Sequence, residues 1–185
     1  MDVIKVERRS EQAKANHLRR SGLVPCCIYG GNLKESVSIQ MDLQAANRLY
    51  RTKREGSKVG LDLDGHVILT QIKEKKKRLS GDAEHFSFQV LAADKKVNSV
   101  AHIFLKNTEL VPGNLEQMLF EVPFSSFPVD MIDTVTIDLE GLSVGTVLAV
   151  KDIPEFQSEQ IDLQINSDST VLRILDKKRV ELSAE

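Results

Sequence analysis

The dipeptide Asp64-Gly65 stands between two runs rich in alternating apolar residues, Val59–Leu63 and Val67–Ile72. A two-residue loop whose residues both accept positive φ is what a tight β-hairpin requires, so this segment predicts antiparallel strands. The same reading extends along the chain. Strands are expected over 3–6, 24–29, 37–41, 86–91, 97–105, 134–139, 147–150, 161–165 and 171–175. The run Thr134-Val135-Thr136-Ile137-Asp138-Leu139 is the cleanest alternation, the signature of a sheet with one buried and one wet face. Two helices interrupt the strands. One is expected over 11–21, stopped by Gly22, and the other begins at an Asp42 cap with Leu43, Ala46, Leu49 and Tyr50 at helical spacing. The run Lys75-Lys76-Lys77-Arg78 is expected in a loop or at a strand edge, because four consecutive charges cannot all point into a core.

The expected architecture is therefore mainly β with two short helices, divided into two β-rich modules that meet near residue 92. A length of 185 residues allows one large domain or two small ones. Hydrophobic residues at 41% and charged residues at 28% suit a folded soluble protein rather than a disordered tail. No apolar stretch is long enough for a transmembrane helix, so no membrane partner is expected. The opening segment lacks the layout of a secretory signal. Its two adjacent cysteines, Cys26 and Cys27, do not make a disulfide framework, and a reducing cytoplasmic setting is expected.

The net charge of −2 conceals a division. Residues 1–91 carry 17 Lys and Arg against 11 Asp and Glu, whereas residues 92–185 carry 8 against 16. A basic half joined to an acidic half is a cue for nucleic-acid contact by the first, although solvated faces would look alike by charge alone. The basic residues fall into three groups: Arg8 to Arg20, Arg48 to Lys58, and Lys73 to Arg78. Gathered on one side, they would attract a phosphate backbone.

Enzyme chemistry finds no footing. Gly30-Gly31 lacks the Lys-Ser/Thr of a nucleotide loop. His17, His66, His85 and His102 are widely separated, and adjacent Cys26 and Cys27 would face opposite sides of a strand, with at least one a small core residue. No catalytic residue, metal, cofactor or small-molecule substrate is expected.

The segment Arg9-Ser10-Glu11-Gln12-Ala13-Lys14, followed by Leu18-Arg19-Arg20-Ser21-Gly22-Leu23-Val24-Pro25-Cys26-Cys27-Ile28-Tyr29-Gly30, resembles the bacterial large-subunit ribosomal protein twenty-five family, also called the general stress protein CTC family. The stretch from Phe127 to Pro154, with Asp138-Leu139-Glu140-Gly141-Leu142 at its centre, resembles the second domain of the family's long members. The resemblance implies an N-terminal β-barrel over 1–91 that binds 5S ribosomal RNA and a C-terminal acidic all-β domain over 92–185. It implies a non-enzymatic, structural component of the large ribosomal subunit, acting in translation, with longer members linked to stress responses.

By the same resemblance the RNA site draws on Arg9, with Arg8 a close rival, on Lys14, on Arg19 beside Arg20, on Tyr29 and on the strand bearing His85 and Ser87. Arginines clamp phosphates with planar forks, and tyrosine offers both a ring and a hydroxyl. In His85-Phe86-Ser87-Phe88 the two phenylalanines should face the core, leaving His85, Ser87 and Gln89 on the opposite side. The family pattern has an acid where Ser87 stands, and a hydroxyl is the weaker acceptor. Glu74–Arg78 likewise departs from the family's usual Gln and Pro. These departures leave a second reading open, a diverged stress-associated protein-interaction module whose RNA site has degraded.

Overall fold

The computed structural model describes residues 2–10 and 12–176. The chain divides into two compact units between Lys95 and Lys96. Both are β structures, and the two α-helices lie in the first.

In the first unit the strands are β1 (Val3–Arg8), β2 (Leu23–Tyr29), β3 (Val37–Asp42), β4 (Lys58–Leu63), β5 (His66–Lys77) and β6 (Ala83–Val90). They close into a barrel in the order β1-β3-β2-β6-β5-β4. Two parallel pairings, β1 with β4 and β2 with β6, complete a set of otherwise antiparallel neighbours. The β4–β5 hairpin turns at Asp64 and Gly65 with φ of 55° and 82°, as that dipeptide requires. Alternation fills the barrel: Val24, Cys26, Ile28, Ile39, Met41, Val59, Leu61, Ile72, Phe86 and Phe88 form one buried cluster. Phe86 and Phe88 stack at 5.7 Å, and Tyr50 meets Phe86 edge-on at 6.3 Å.

Helix α2 (Leu43–Thr52) begins as expected, the Asp42 carboxylate accepting from the backbone N–H groups of Gln44 and Ala45. Ala46 and Leu49 face the core. Helix α1 (Ala15–Arg20) is shorter than the expected 11–21. Glu11 lies outside the described residues. Ala13 turns back on Ser10, and Lys14 keeps an extended backbone, so the helix cannot form before Ala15. It stops at Gly22, whose φ of +77° no side-chain-bearing residue adopts readily.

Of the two expectations for the basic run, the loop does not hold: Lys75, Lys76 and Lys77 form the end of β5 and pair with β6. A lysine can cover apolar surface with its stem while its ammonium finds carbonyls. The Lys75 ammonium does so, donating to the Tyr50 and Lys53 carbonyls at the end of α2.

In the second unit β7 (Val97–Lys106), β9 (Glu121–Ser126), β10 (Thr134–Asp138) and β12 (Asp162–Leu163) form a sheet in the order β10-β7-β9-β12. A second sheet places β13 (Thr170–Leu175) between β11 (Val147–Ala149) and β8 (Asn114–Gln117). Ala101, Ile103, Val122, Phe124, Val135 and Val171 share a core with Val150 and Phe156 from short 3-10 turns and with Ile153 between them. Strands β8 and β9 were not expected from the sequence. Asn114-Leu115-Glu116-Gln117 holds one apolar residue, and Pro123 with two serines interrupts the pattern of β9.

Candidate nucleic-acid interface

The outer face of β2, β6 and β5 carries a connected polar group. Because Cys26, Ile28, Phe86 and Phe88 point into the barrel, Cys27, Tyr29, His85, Ser87 and Gln89 point out of it. Parallel pairing sets Cys27 beside Ser87 and Tyr29 beside Gln89. On the other side of β6, a bulge between Ile72 and Glu74 sets Glu74 opposite Ser87, and Lys76 stands opposite His85.

His85 anchors the group. Its Nδ1 lies 2.8 Å from the Pro25 carbonyl, which only accepts, so Nδ1 carries a proton. Nε2 is thereby turned toward Ser87 Oγ at 3.2 Å and Cys27 Sγ at 4.0 Å. The Ser87 hydroxyl donates to Glu74 Oε2 at 3.4 Å, and Glu74 Oε1 pairs with the Lys76 ammonium at 2.8 Å. Lys76 holds the Glu74 carboxyl below its usual range. The hydrogen bond with Cys27, aided by the Pro25 carbonyl, raises His85 against the opposing effect of burial. Once charged, His85 Nε2 donates to Ser87 Oγ, whose own proton goes to Glu74, a continuous line from imidazolium to carboxylate.

Tyr29 is 37% exposed at the end of β2. Burial raises its hydroxyl, as do the nearby Cys27 and Glu74. Ser87 is only 9% exposed, so it supports this face more than it presents itself.

The basic residues of the N-terminal motif divide by partner. Arg9 folds its guanidinium over the Ala13 carbonyl, with Nη2 at 2.7 Å. Its rival Arg8 pairs with Asp64 in solvent. Arg19 crosses from α1 to β6, where Nε donates to the Glu84 carbonyl at 3.2 Å and Nη2 lies 3.6 Å from the Glu84 carboxylate. Its side chain is 15% exposed. Lys14 and Arg20 are exposed. Thus Arg19 joins the helix to the strand carrying His85 and Ser87, while Lys14 and Arg20 stand in solvent at the two ends of α1. Cys27 and Glu74 are the members that the sequence reading did not place here. Among the described residues no group of three or more His, Cys, Asp or Glu is arranged to hold a metal ion.

A family model described as the ribosomal L25p family matches residues 4–88, which span this barrel from β1 into β6. The barrel belongs to the ribosomal L25p family. Relatives of the L25p barrel extend the likeness past it. The chain is 28% identical to the large ribosomal subunit protein bL25 of Bacillus licheniformis, across 83% of this chain and 76% of that one. It is 24% identical to the bL25 of a Thermoanaerobacter species across 95% and 89%, and 29% identical to that of Xanthomonas campestris across 81% and 76%. Both units of the chain therefore have counterparts in proteins of that name.

Proposed function

We propose that the protein is a structural component of the large ribosomal subunit and binds 5S ribosomal RNA through the outer face of β2, β6 and β5. The observation that carries this reading is the convergence of Tyr29, His85 and Ser87 on one face, with Arg19 tying α1 to the same strand β6. Such a face offers a ring and a hydroxyl for ribose or base edges, an imidazole that gains charge, and lysines and arginines nearby for phosphates. It suits a shallow or widened RNA minor groove, since the regular A-form major groove is too deep and narrow to admit side chains. Family membership supports the ribosomal assignment and a non-enzymatic role, with action on the ribosome in the cytoplasm.

The test is a titration of 5S ribosomal RNA with the full chain at two salt concentrations, with excess transfer RNA as competitor. Binding that resists the competitor and weakens steeply with salt is the expected result. Binding that transfer RNA abolishes would reduce the interaction to charge and overturn the 5S assignment. The acidic second unit would then become the surface to search for protein partners.

A further inference from the structure

Cys27 is a nucleophile for which the RNA reading has no use. Its neighbour Cys26 is 2% exposed, and burial pushes that thiol up to about 12, so Cys26 is an inert core residue. Cys27 differs in every respect. It is half-buried on the outer face, with Sγ 3.5 Å from Ser87 Oγ and 4.0 Å from His85 Nε2. The Pro25 carbonyl fixes the other ring nitrogen at 2.8 Å. A nucleophile, a base within reach and a third group that orients the base are the parts of an activated thiol. His85 also lowers the Cys27 thiol from its ordinary value, with help from Ser87.

The groups that face the sulfur are His85 and Ser87 on β6, Glu74 on β5 and Tyr29 on its own strand. Glu74 opposes a thiolate, and the Lys76 ammonium, 2.8 Å from that carboxylate, offsets part of this effect. Ser38, its pairing partner on β3, brings no charge.

We propose that Cys27 is a thiol-modification site that takes up low-molecular-weight disulfides, and that the resulting adduct closes the RNA-binding face. The Sγ proton passes to His85 Nε2, and the thiolate attacks one sulfur of the small disulfide. A Cys27 sulfur–sulfur bond forms as the reagent's own breaks. The departing thiolate takes the proton from His85, so Cys27 is oxidised as the reagent is reduced. The adduct occupies space next to His85 and Ser87, in line with Tyr29 along β2. Its effect on RNA rests on the function proposed above; its chemistry does not.

The experiment uses the full chain and glutathione disulfide, with a chromogenic aromatic disulfide to time the reaction. One thiol should react in the folded chain, about fivefold faster at pH 6 than a cysteine in an unstructured peptide. Cys27→Ser should abolish this phase, and His85→Gln should return its pH profile to the ordinary thiol range. A wild-type profile like that of the peptide, or one unmoved by His85→Gln, overturns the activated site. Saturating 5S ribosomal RNA should slow the reaction, and the purified adduct should bind that RNA about tenfold more weakly. Equal RNA binding by adduct and unmodified chain overturns the closure while leaving the RNA function intact. An unmodified chain without preference for 5S ribosomal RNA overturns that function and the closure with it, and the kinetics still decide the thiol.

Discussion

Glu74 supplies a carboxylate where Ser87 lacks one: its Oε2 accepts from Ser87 Oγ at 3.4 Å from the directly paired position on the neighbouring strand. The family resemblance implies an acid at the Ser87 position itself. Here a carboxylate stands one strand over, and the serine links it to His85. The outer face thus keeps an imidazole and a carboxylate joined through one hydroxyl.

Ser87→Asp tests this relationship. An added carboxylate would stand beside Glu74 in a nearly buried position, and like charges so close raise the carboxyl affinity for protons. A raised folded value means stability that is present in acid and lost as pH rises through it. Ser87→Asp should therefore be less stable than wild type at neutral pH, and the deficit should shrink in acid. Glu74→Gln in the same chain should restore most of the loss. Denaturant unfolding of the single and double variants at two pH values is the measurement, and an unrescued loss would mean that the two positions do not communicate.

Arg19 and Arg20 are adjacent but should behave differently. Arg19→Ala removes the bond to the Glu84 carbonyl and should cost about 1 kcal/mol of stability, a typical value for a single hydrogen bond. Arg20 is exposed at the last turn of α1, so Arg20→Ala should leave stability within about 0.5 kcal/mol. On RNA, Arg20→Ala should lower the salt slope by about one phosphate's share. Unfolding curves together with RNA titrations across a salt series separate the two. If Arg20→Ala left the slope unchanged, that arginine would lie outside the interface.

His85 gives the face a dependence on pH. Its folded value is raised, chiefly by the hydrogen bond with Cys27 and then by the Pro25 carbonyl. The folded chain therefore holds the proton more tightly than the unfolded chain. The resulting stability is complete below the ordinary imidazole range and disappears as pH climbs through the folded value. Wild type should exceed His85→Gln in stability by more at about pH 5.5 than at about pH 8. A constant difference would show that the imidazole contributes by packing rather than by charge.

Much of this arrangement was legible in the sequence. The alternation of Phe86 and Phe88 with His85 and Ser87 fixes which side chains face outward, and Asp42 and Asp64-Gly65 mark a helix start and a hairpin from local chemistry alone. Cys27 and Glu74 could not be placed in this way. Cys27 meets Ser87 across a parallel pairing of segments 60 positions apart, a partnership that no local pattern encodes. Glu74 faces Ser87 because a bulge after Ile72 shifts the register, so alternation along β5 alone misassigns its side. Arg19 read as a phosphate clamp, and its match to Glu84 escaped the sequence because it depends on where α1 packs.

Lys75 carries the prediction most opposed to a reading of charge runs as solvated surface. Its ammonium lies 3.0 Å from the Tyr50 carbonyl and 2.6 Å from the Lys53 carbonyl, and 4.5 Å from the centre of the Tyr50 ring. The last carbonyls of a helix have no partner within it and carry the negative end of its dipole, so a cation there satisfies both needs. Burial depresses the Lys75 ammonium below its ordinary value, the Arg54 charge adds to this, and Glu55 opposes it. Lys75→Met keeps most of the stem over Tyr50 and removes the donor. It should cost about 1 kcal/mol, the scale of a favourable cation at a helix C-terminus. Lys77→Met should cost less, because Lys77 is exposed and its ammonium stands 6.0 Å from the ring centre. Thermal or urea unfolding of the two variants decides the matter, and equal, negligible losses would mean that α2 ends without help from β5.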